Sequence, residues 1–191
     1  VGSWSDVGCF SLHPLKNLNV AGDGGAATAQ SEAVADSLRR LRNHGLKNRV
    51  DIDGFGYNSR LDSIQAAIAL YGMKRLAAVT RRRIANARRY DELLAPLQGP
   101  VIIPPRTRDV RQVFHTYVIQ VEDREGLIEF LAKQGVETKI HYPLPIHLQP
   151  PCRKMGYGPG DFPVCEAQAR RILTLPIHQF LTEVQIRHVV R

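Results

Sequence analysis

The sequence predicts a mixed α/β chain in two domains joined by a long helix. Three observations carry that expectation. Short strand-like runs, Val7 to Leu12 and Ala26 to Ala29, lie close together ahead of segments with helical periodicity. A helical stretch from Leu61 to Leu94 is longer than most globular helices. Beyond Pro104-Pro105 the apolar spacing switches to alternation, as the start of a second unit would require.

The elements follow in order. His13-Pro14 ends the first strand, since proline cannot donate to a ladder, and Gly22-Asp23-Gly24-Gly25 turns the chain toward the second. Ser31 is placed as the N-cap of a helix with Val34, Leu38 and Leu41 on one stripe, and Gly45 is placed to end it. Residues 46–60 read as a long polar loop, a length that in compact domains usually has a functional reason. Leu61, Ile64, Ile68 and Tyr71 form the stripe of the long helix, bent or broken near Gly72. Tyr117, Ile119 and Val121 alternate as a strand. Leu127, Ile128 and Leu131 lie on a helix closed by Gly135, and Val136 to Ile140 reads as another strand of a βαβ-like unit. Pro143, Pro145, Pro150 and Pro151 impose an extended loop. Two helices end the chain, one with Pro163 in its first turn and running through Cys165, Ala169 and Ile172, the other opening on the capping box Thr182–Gln185.

Composition narrows the function classes. The 191 residues are 43% apolar, too apolar for a disordered chain, and no apolar run approaches a bilayer span. No charged n-region and apolar h-region follow Val1, so no signal peptide is expected. The chain does not begin with Met and reads as a piece of something longer. Lys and Arg number 26 against 18 Asp and Glu, a formal charge of +8. Nucleic acid, an anionic membrane and a phosphorylated small molecule all suit that balance. No zinc-finger spacing, RRM signature or basic heptad region is present, and Arg81, Arg82, Arg83, Arg88 and Arg89 spread over several helix faces as a solvated surface would. Cys9, Cys152 and Cys165 are odd in number with no CxxC pair, so they read as reduced packing residues and not as a disulfide or zinc framework. His141 and His147 straddle a proline-rich loop without a zinc-helix spacing, and no metal is expected.

Gly22, Gly24 and Gly25 match neither GxGxxG nor a P-loop, and alone they make a turn. The segment from Cys9 to Leu18 says more. Lys16 follows the end of a short apolar strand, and Ser11 ends that strand. A lysine desolvated in an apolar pocket becomes nucleophilic, as Schiff-base chemistry requires, and a strand-end serine suits a phosphate. Read alone, the same pattern also fits an ordinary solvated lysine.

Five ordered blocks then decide the matter. Phe10-Ser11, His13-Pro14 and Lys16-Asn17-Leu18 lead to Gly22-Asp23-Gly24-Gly25-Ala26. Arg42-Asn43-His44-Gly45 follows, then Gly56 to Asp62 with Gln65-Ala66-Ala67, then His141-Tyr142-Pro143, Pro145 and His147-Leu148-Gln149-Pro150, and last Gly160-Asp161-Phe162-Pro163 with Leu175-Pro176. Over nearly the whole chain this resembles the DegT-type sugar aminotransferases, pyridoxal 5'-phosphate (PLP)-dependent enzymes of fold type I.

The resemblance implies a partial fold type I architecture. Residues 1–75 would be the C-terminal part of the large PLP-binding domain, 76–100 a connecting helix, and 101–191 the small α+β domain. Lys16 matches the Schiff-base lysine and general acid/base, and Ser11 the hydroxyl on the PLP phosphate. Asn58 matches a residue that reaches the partner subunit's cofactor in a homodimer with shared sites. Lys47 matches a basic loop position near the nucleotide diphosphate, and His141 and Tyr142 match positions lining the sugar pocket. His44, Arg60 and Asp62 would brace the loop and helix start, and His13 and His147 would either touch ligand or fix their turns. The implied activity moves an amino group, from glutamate, onto a keto-sugar nucleotide in the cytoplasm, for polysaccharide or antibiotic sugars, with no nucleic acid or membrane partner. The family's first phosphate loop, its ring-stacking aromatic and its pyridine-pairing Asp have no counterpart in these residues, so the isolated chain is expected to be inactive, with exposed apolar surface. A sugar dehydratase of the same family is an alternative, disfavoured because that branch carries His where Lys16 stands. A non-catalytic basic anion-binding module is the other.

Overall fold

The computed structural model describes residues 2–97 and 99–191, in two compact units, Val1–Ala77 and Ala78–Arg191.

In the first unit, β1 (Val7–Ser11) and β2 (Gly25–Ala29) pair antiparallel, with Ser11 opposite Gly25 and Val7 opposite Ala29. The chain returns through a compact excursion. The Leu12 N–H donates to the Gly24 carbonyl and the Val20 N–H to the Leu12 carbonyl, so residues 12 to 24 fold back on the strand end. Helix α1 (Glu32–Leu41) starts where the Ser31 hydroxyl accepts from the Val34 N–H, with Glu32 in its first turn and Arg39 and Arg40 in its last, the arrangement the helix dipole favours. It ends at Leu41, earlier than Gly45. His44 and Gly45 then take positive φ of 59° and 74°. At Gly45 a Cβ would lie 1.8 Å from the Gly54 carbonyl oxygen, so only glycine lets the two segments close.

The 46–60 segment is not a free loop. Bridges Asn43–Asn58 and Leu46–Ile52 fold it into a narrow hairpin laid against the end of α1. Helix α2 (Ser63–Met73) and α3 (Leu76–Leu94) are separated at Lys74-Arg75, close to the expected break. The expected α2 stripe is not a core: Ile64 is 71% exposed and Tyr71 64%, and no residue of α2 is buried. Among the described residues, Leu12 and Val20 are the large apolar side chains this unit buries.

The second unit holds a continuous core. Strand β4 (Tyr117–Val121) lies between β3 (Val101–Ile102) and β5 (Ile172–Leu175), antiparallel to both. The β4 alternation holds, with Tyr117, Ile119 and Val121 buried. They pack with Tyr90 and Leu94 of α3, Leu131 of α4 (Arg124–Lys133), Leu173 and Leu175 of β5, and Ile186 of α7 (Glu183–Val190). Both helices that end the chain open as expected: Pro163 lies in the first turn of the Pro163–Arg171 helix, and the Thr182–Gln185 capping box forms at α7. At α4 the Asp123 side chain accepts from the Gly126 N–H.

Four expectations need correction here. Val136 to Ile140 is not a strand; only Lys139 bridges to Thr174, and the sheet is antiparallel, not βαβ. Ile172 is not helical: α6 (Pro163–Arg171) stops before it and β5 begins, because pairing with β4 overrides local periodicity. The proline-rich loop contains a short helix, α5 (Pro150–Lys154), with its prolines at N1 and N2, where they are tolerated. The cysteines are free, but Cys9 and Cys165 are exposed and do not pack, while Cys152 is half-buried.

The arginines of α3 are not a uniform solvated surface. Arg83 is buried and donates to the carbonyls of Phe114 at 3.0 Å and Ile177 at 3.1 Å. Along the same helix face, Asn86 donates to the His178 carbonyl at 2.8 Å and the Tyr90 hydroxyl to the Pro176 carbonyl at 3.0 Å. These donors supply the partners that residues 176–178 lose on leaving β5.

Candidate functional site

In the first unit, Ser11 lines a cleft of about 800 Å³ with Gly24, Gly25, Arg42, Ser59 and Arg60 among its walls. The antiparallel register puts Gly25 directly across from Ser11. The His13 N–H donates to Ser11 Oγ at 3.3 Å, which leaves the hydroxyl proton able to point into the cleft. A Cβ on Gly24 would stand 2.9 Å from Val20 Cγ2, so the turn is tight as well as open to a ligand.

Lys16 lies beyond this hydroxyl in the same excursion and is half-buried. Its N–H donates to the His13 carbonyl and its own carbonyl accepts from Asn19 Nδ2 at 2.8 Å, so both flanks of the lysine are tied down. It does not itself line the Ser11 cleft.

Asn58 is exposed and held by position. The Ser59 N–H donates to the Arg42 carbonyl, the His44 N–H to the Tyr57 carbonyl, and Asn58 bridges Asn43, so the residue is fixed at the cleft edge. Lys47 sits away from these groups, exposed on the narrow hairpin, where its N–H donates to the Asp51 carbonyl and Asn48 pins the tip through Asp51. The structure thus joins Ser11 and the Asn58 neighbourhood in one cleft, and sets Lys47 outside it.

His141 and Tyr142 belong to the second unit. They line a mostly apolar cleft of about 690 Å³ with Val118, Leu144, Cys165 and Ile172. The His141 ring nitrogen Nδ1 is 2.9 Å from Thr174 Oγ1, and the two rings meet edge to face at 5.4 Å. Tyr142 is 72% exposed, a side chain presented outward. His147 is instead buried, with Nε2 3.0 Å from Glu166 Oε1. The Gly160 N–H, and after it His147, hold the Glu166 carboxyl below its usual range. His147 thereby fixes its turn.

Sequence reasoning gave Gly24 and Gly25 only a turn and Arg60 only a bracing role, and it assigned Arg42 nothing. Arg60 does brace, donating to Asn43 Oδ1 at 3.5 Å, and both arginines also wall the Ser11 cleft. The signal was present: a glycine pair returning opposite a strand-end serine is open backbone next to a hydroxyl.

A hydroxyl donor, open glycine backbone and two guanidiniums suit a phosphate, and the primary amine of a half-buried lysine on a tied backbone suits an aldehyde. The residues therefore fit PLP. Among the described residues no group of three or more His, Cys, Asp or Glu is arranged to hold a metal, and no helix is long and apolar enough to cross a membrane.

This hairpin, with its tethered lysine and its separate small-sheet unit, defines part of a PLP-dependent transferase fold of type I. The chain belongs to the DegT/DnrJ/EryC1/StrS aminotransferase family, which matches residues 1–191. It is 38% identical over 191 residues to a pleiotropic regulatory protein of Geobacillus stearothermophilus, covering 100% of this chain and 51% of that protein. It is also 38% identical over 191 residues to the UDP-N-acetyl-3-dehydro-alpha-D-glucosamine 3-aminotransferase of Acidithiobacillus ferrooxidans, covering 99% of this chain and 50% of the other. Among solved structures, S. venezuelae DesV superposes with a TM-score of 0.93 at 36% identity, covering 100% of this chain and 51% of DesV. Crystal structures of similar fold include PLP and PMP (pyridoxamine phosphate) forms. The chain spans about half the length of the curated relatives it matches.

Proposed function

We propose that the whole protein is a PLP-dependent aminotransferase that moves an amino group from glutamate onto a keto-sugar nucleotide. The observation that carries this reading is the Ser11 cleft, a hydroxyl and open glycine backbone beside two arginines, on the excursion that bears Lys16. The 3-aminotransferase name of the Acidithiobacillus relative supports a nucleotide sugar as the acceptor.

When bound, PLP supplies the electron sink that lets nitrogen leave one carbon and join another. This chain's residues do the rest. Ser11 donates to the phosphate, and Lys16 holds the group through its amine and then moves the proton as general base and acid. The bonds that tie both flanks of Lys16 fix the backbone from which that amine reaches, and proton transfer to a fixed carbon needs such positioning.

In the same reading the protein is a cytoplasmic homodimer with shared sites. Asn58, exposed yet pinned, reaches the phosphate held by the second copy. Lys47, on its exposed hairpin, meets the nucleotide diphosphate, and His141 and Tyr142 wall the sugar.

The test is spectroscopic. Full-length protein is expected to show visible absorbance from bound PLP that borohydride removes and Lys16→Ala lacks. Normal PLP loading of the Lys16→Ala protein at that wavelength would sink the assignment.

A further inference from the structure

A second cleft, of about 480 Å³, lies in the second unit between α3 and residues 105–114, and shares no residue with the His141–Tyr142 cleft. Its size is that of a small-ligand pocket. Four arginines and one carboxylate line it: Arg88 from α3, and Arg106, Arg108 and Arg111 from the segment before β4, with Asp91.

One arginine is already neutralised. Arg106 grips Asp91 through two bonds, Nη2 to Oδ1 at 2.7 Å and Nε to Oδ2 at 3.1 Å, while the Tyr117 hydroxyl donates to Oδ1 at 2.6 Å. The guanidinium also lies over the rings of Phe114 and Tyr117, at 5.1 and 5.3 Å from their centroids. Asp91 is therefore fully engaged, and Arg106 acts as the rivet that fastens the segment to α3.

The other three differ. Arg88, Arg108 and Arg111 have no ion pair or hydrogen-bond partner among the described residues, although Arg89 beside them is paired with Glu92 and Glu183. Like charges left together without counter-ions repel, and a protein gains nothing in stability from holding them around one cavity. These three arginines line one cleft from two segments, and guanidinium forks match the charge and the oxygen geometry of a diphosphate.

We propose that this cleft binds the diphosphate group of a small ligand through Arg88, Arg108 and Arg111, with Arg106 and Asp91 as its fixed floor. The proposal does not rest on the aminotransferase reading. The diphosphate can come as free inorganic pyrophosphate or as part of a nucleotide, and the two sources separate experimentally.

The test is calorimetric titration of the full-length protein with pyrophosphate and, separately, with UDP. It is done in the Lys47→Ala background, so that the nucleotide subsite proposed above does not contribute. Binding is expected to survive Lys47→Ala and to weaken at least about tenfold in Arg108→Gln/Arg111→Gln. It should also weaken steeply with added salt. Both positions are exposed, and an unchanged circular dichroism spectrum and urea midpoint in the double variant check that its fold is intact. Equal affinity for the two probes identifies free diphosphate, tighter UDP identifies a nucleotide, and either upholds the site. No heat with either probe, or heat that Arg108→Gln/Arg111→Gln leaves unchanged, overturns it.

Discussion

The Gln65 side chain grips Ala21 at both backbone atoms: Oε1 accepts from the Ala21 N–H at 2.8 Å and Nε2 donates to the Ala21 carbonyl at 3.1 Å. A residue of α2 thus fastens the return leg of the excursion that carries Lys16, as a neighbouring strand would. Gln65→Leu leaves both groups without partners and is expected to cost about 1–2 kcal/mol. Gln65→Glu keeps the acceptor but loses the donor, and should cost less. Urea denaturation compares the two. A Gln65→Leu protein as stable as wild type would show that the grip carries no weight.

Arg83 is buried and bonded to carbonyls, not to a carboxylate. Burial pulls its pKa below the ordinary arginine value, yet the guanidinium stays charged at any working pH. Arg83→Met removes the donors from the carbonyls of Phe114 and Ile177 and should destabilise the protein by about 2–4 kcal/mol. Arg83→Lys should recover part of this, since one ammonium cannot serve so many acceptors. Chemical denaturation of the pair checks the order.

Burial first, and then the nearby Arg83 charge, push the His178 imidazole below its ordinary 6.5. Its Nδ1 accepts from the Phe180 N–H at 3.2 Å, a bond that only the neutral ring makes. The unfolded chain therefore takes up the proton first. Stability is full above pH 6.5 and falls as pH drops from there toward the lowered folded value. Melting temperature against pH should show this slope, and His178→Asn should flatten it.

Glu166 titrates in a different window. Its carboxyl is held below 4.5 by the Gly160 N–H and by His147, so its stabilisation is complete above pH 4.5 and is lost as pH falls through the lowered value. Glu166→Gln should remove that acid-limb loss while leaving the slope near pH 6.5 unchanged. An unaltered acid limb in the variant would mean that the pair contributes no pH dependence.

If the sites are shared across a dimer, a Lys16→Ala chain and an Asn58→Ala chain are each defective and their hybrid regains one intact site. Mixed dimers are expected to recover roughly a quarter to a half of wild-type turnover, by the statistics of subunit pairing. Recovery no greater than the sum of the parent variants would remove the shared-site proposal.

The features legible in the sequence were those with local causes. Ser31 and the Thr182–Gln185 pair cap helices with groups at most three residues away. The β4 alternation appears as burial because one face meets the core. Lys16, Ser11 and the glycine turn could be picked out because they fall within one short, ordered run. Ile172, the first residue of β5, reads as the end of α6 because the strand's conformation comes from pairing with β4, more than fifty residues earlier. The 46–60 hairpin is not legible for a related reason: its bridges, Asn43–Asn58 and Leu46–Ile52, are isolated pairs set in no alternating run.

By itself the sequence determined the family resemblance and the starts of α1, α6 and α7, and it singled out the lysine and serine proposed to meet PLP, because side-chain identity and short-range hydrogen bonding suffice for these. Only the tertiary structure decided what each arginine does. Three arginines on one helix look alike as letters, yet Arg83 is buried under backbone carbonyls, Arg89 is paired with two glutamates, and Arg88 faces a cleft with Arg108 and Arg111. The same charge becomes a core bond, a surface ion pair or an open binding group according to what long-range packing brings against it.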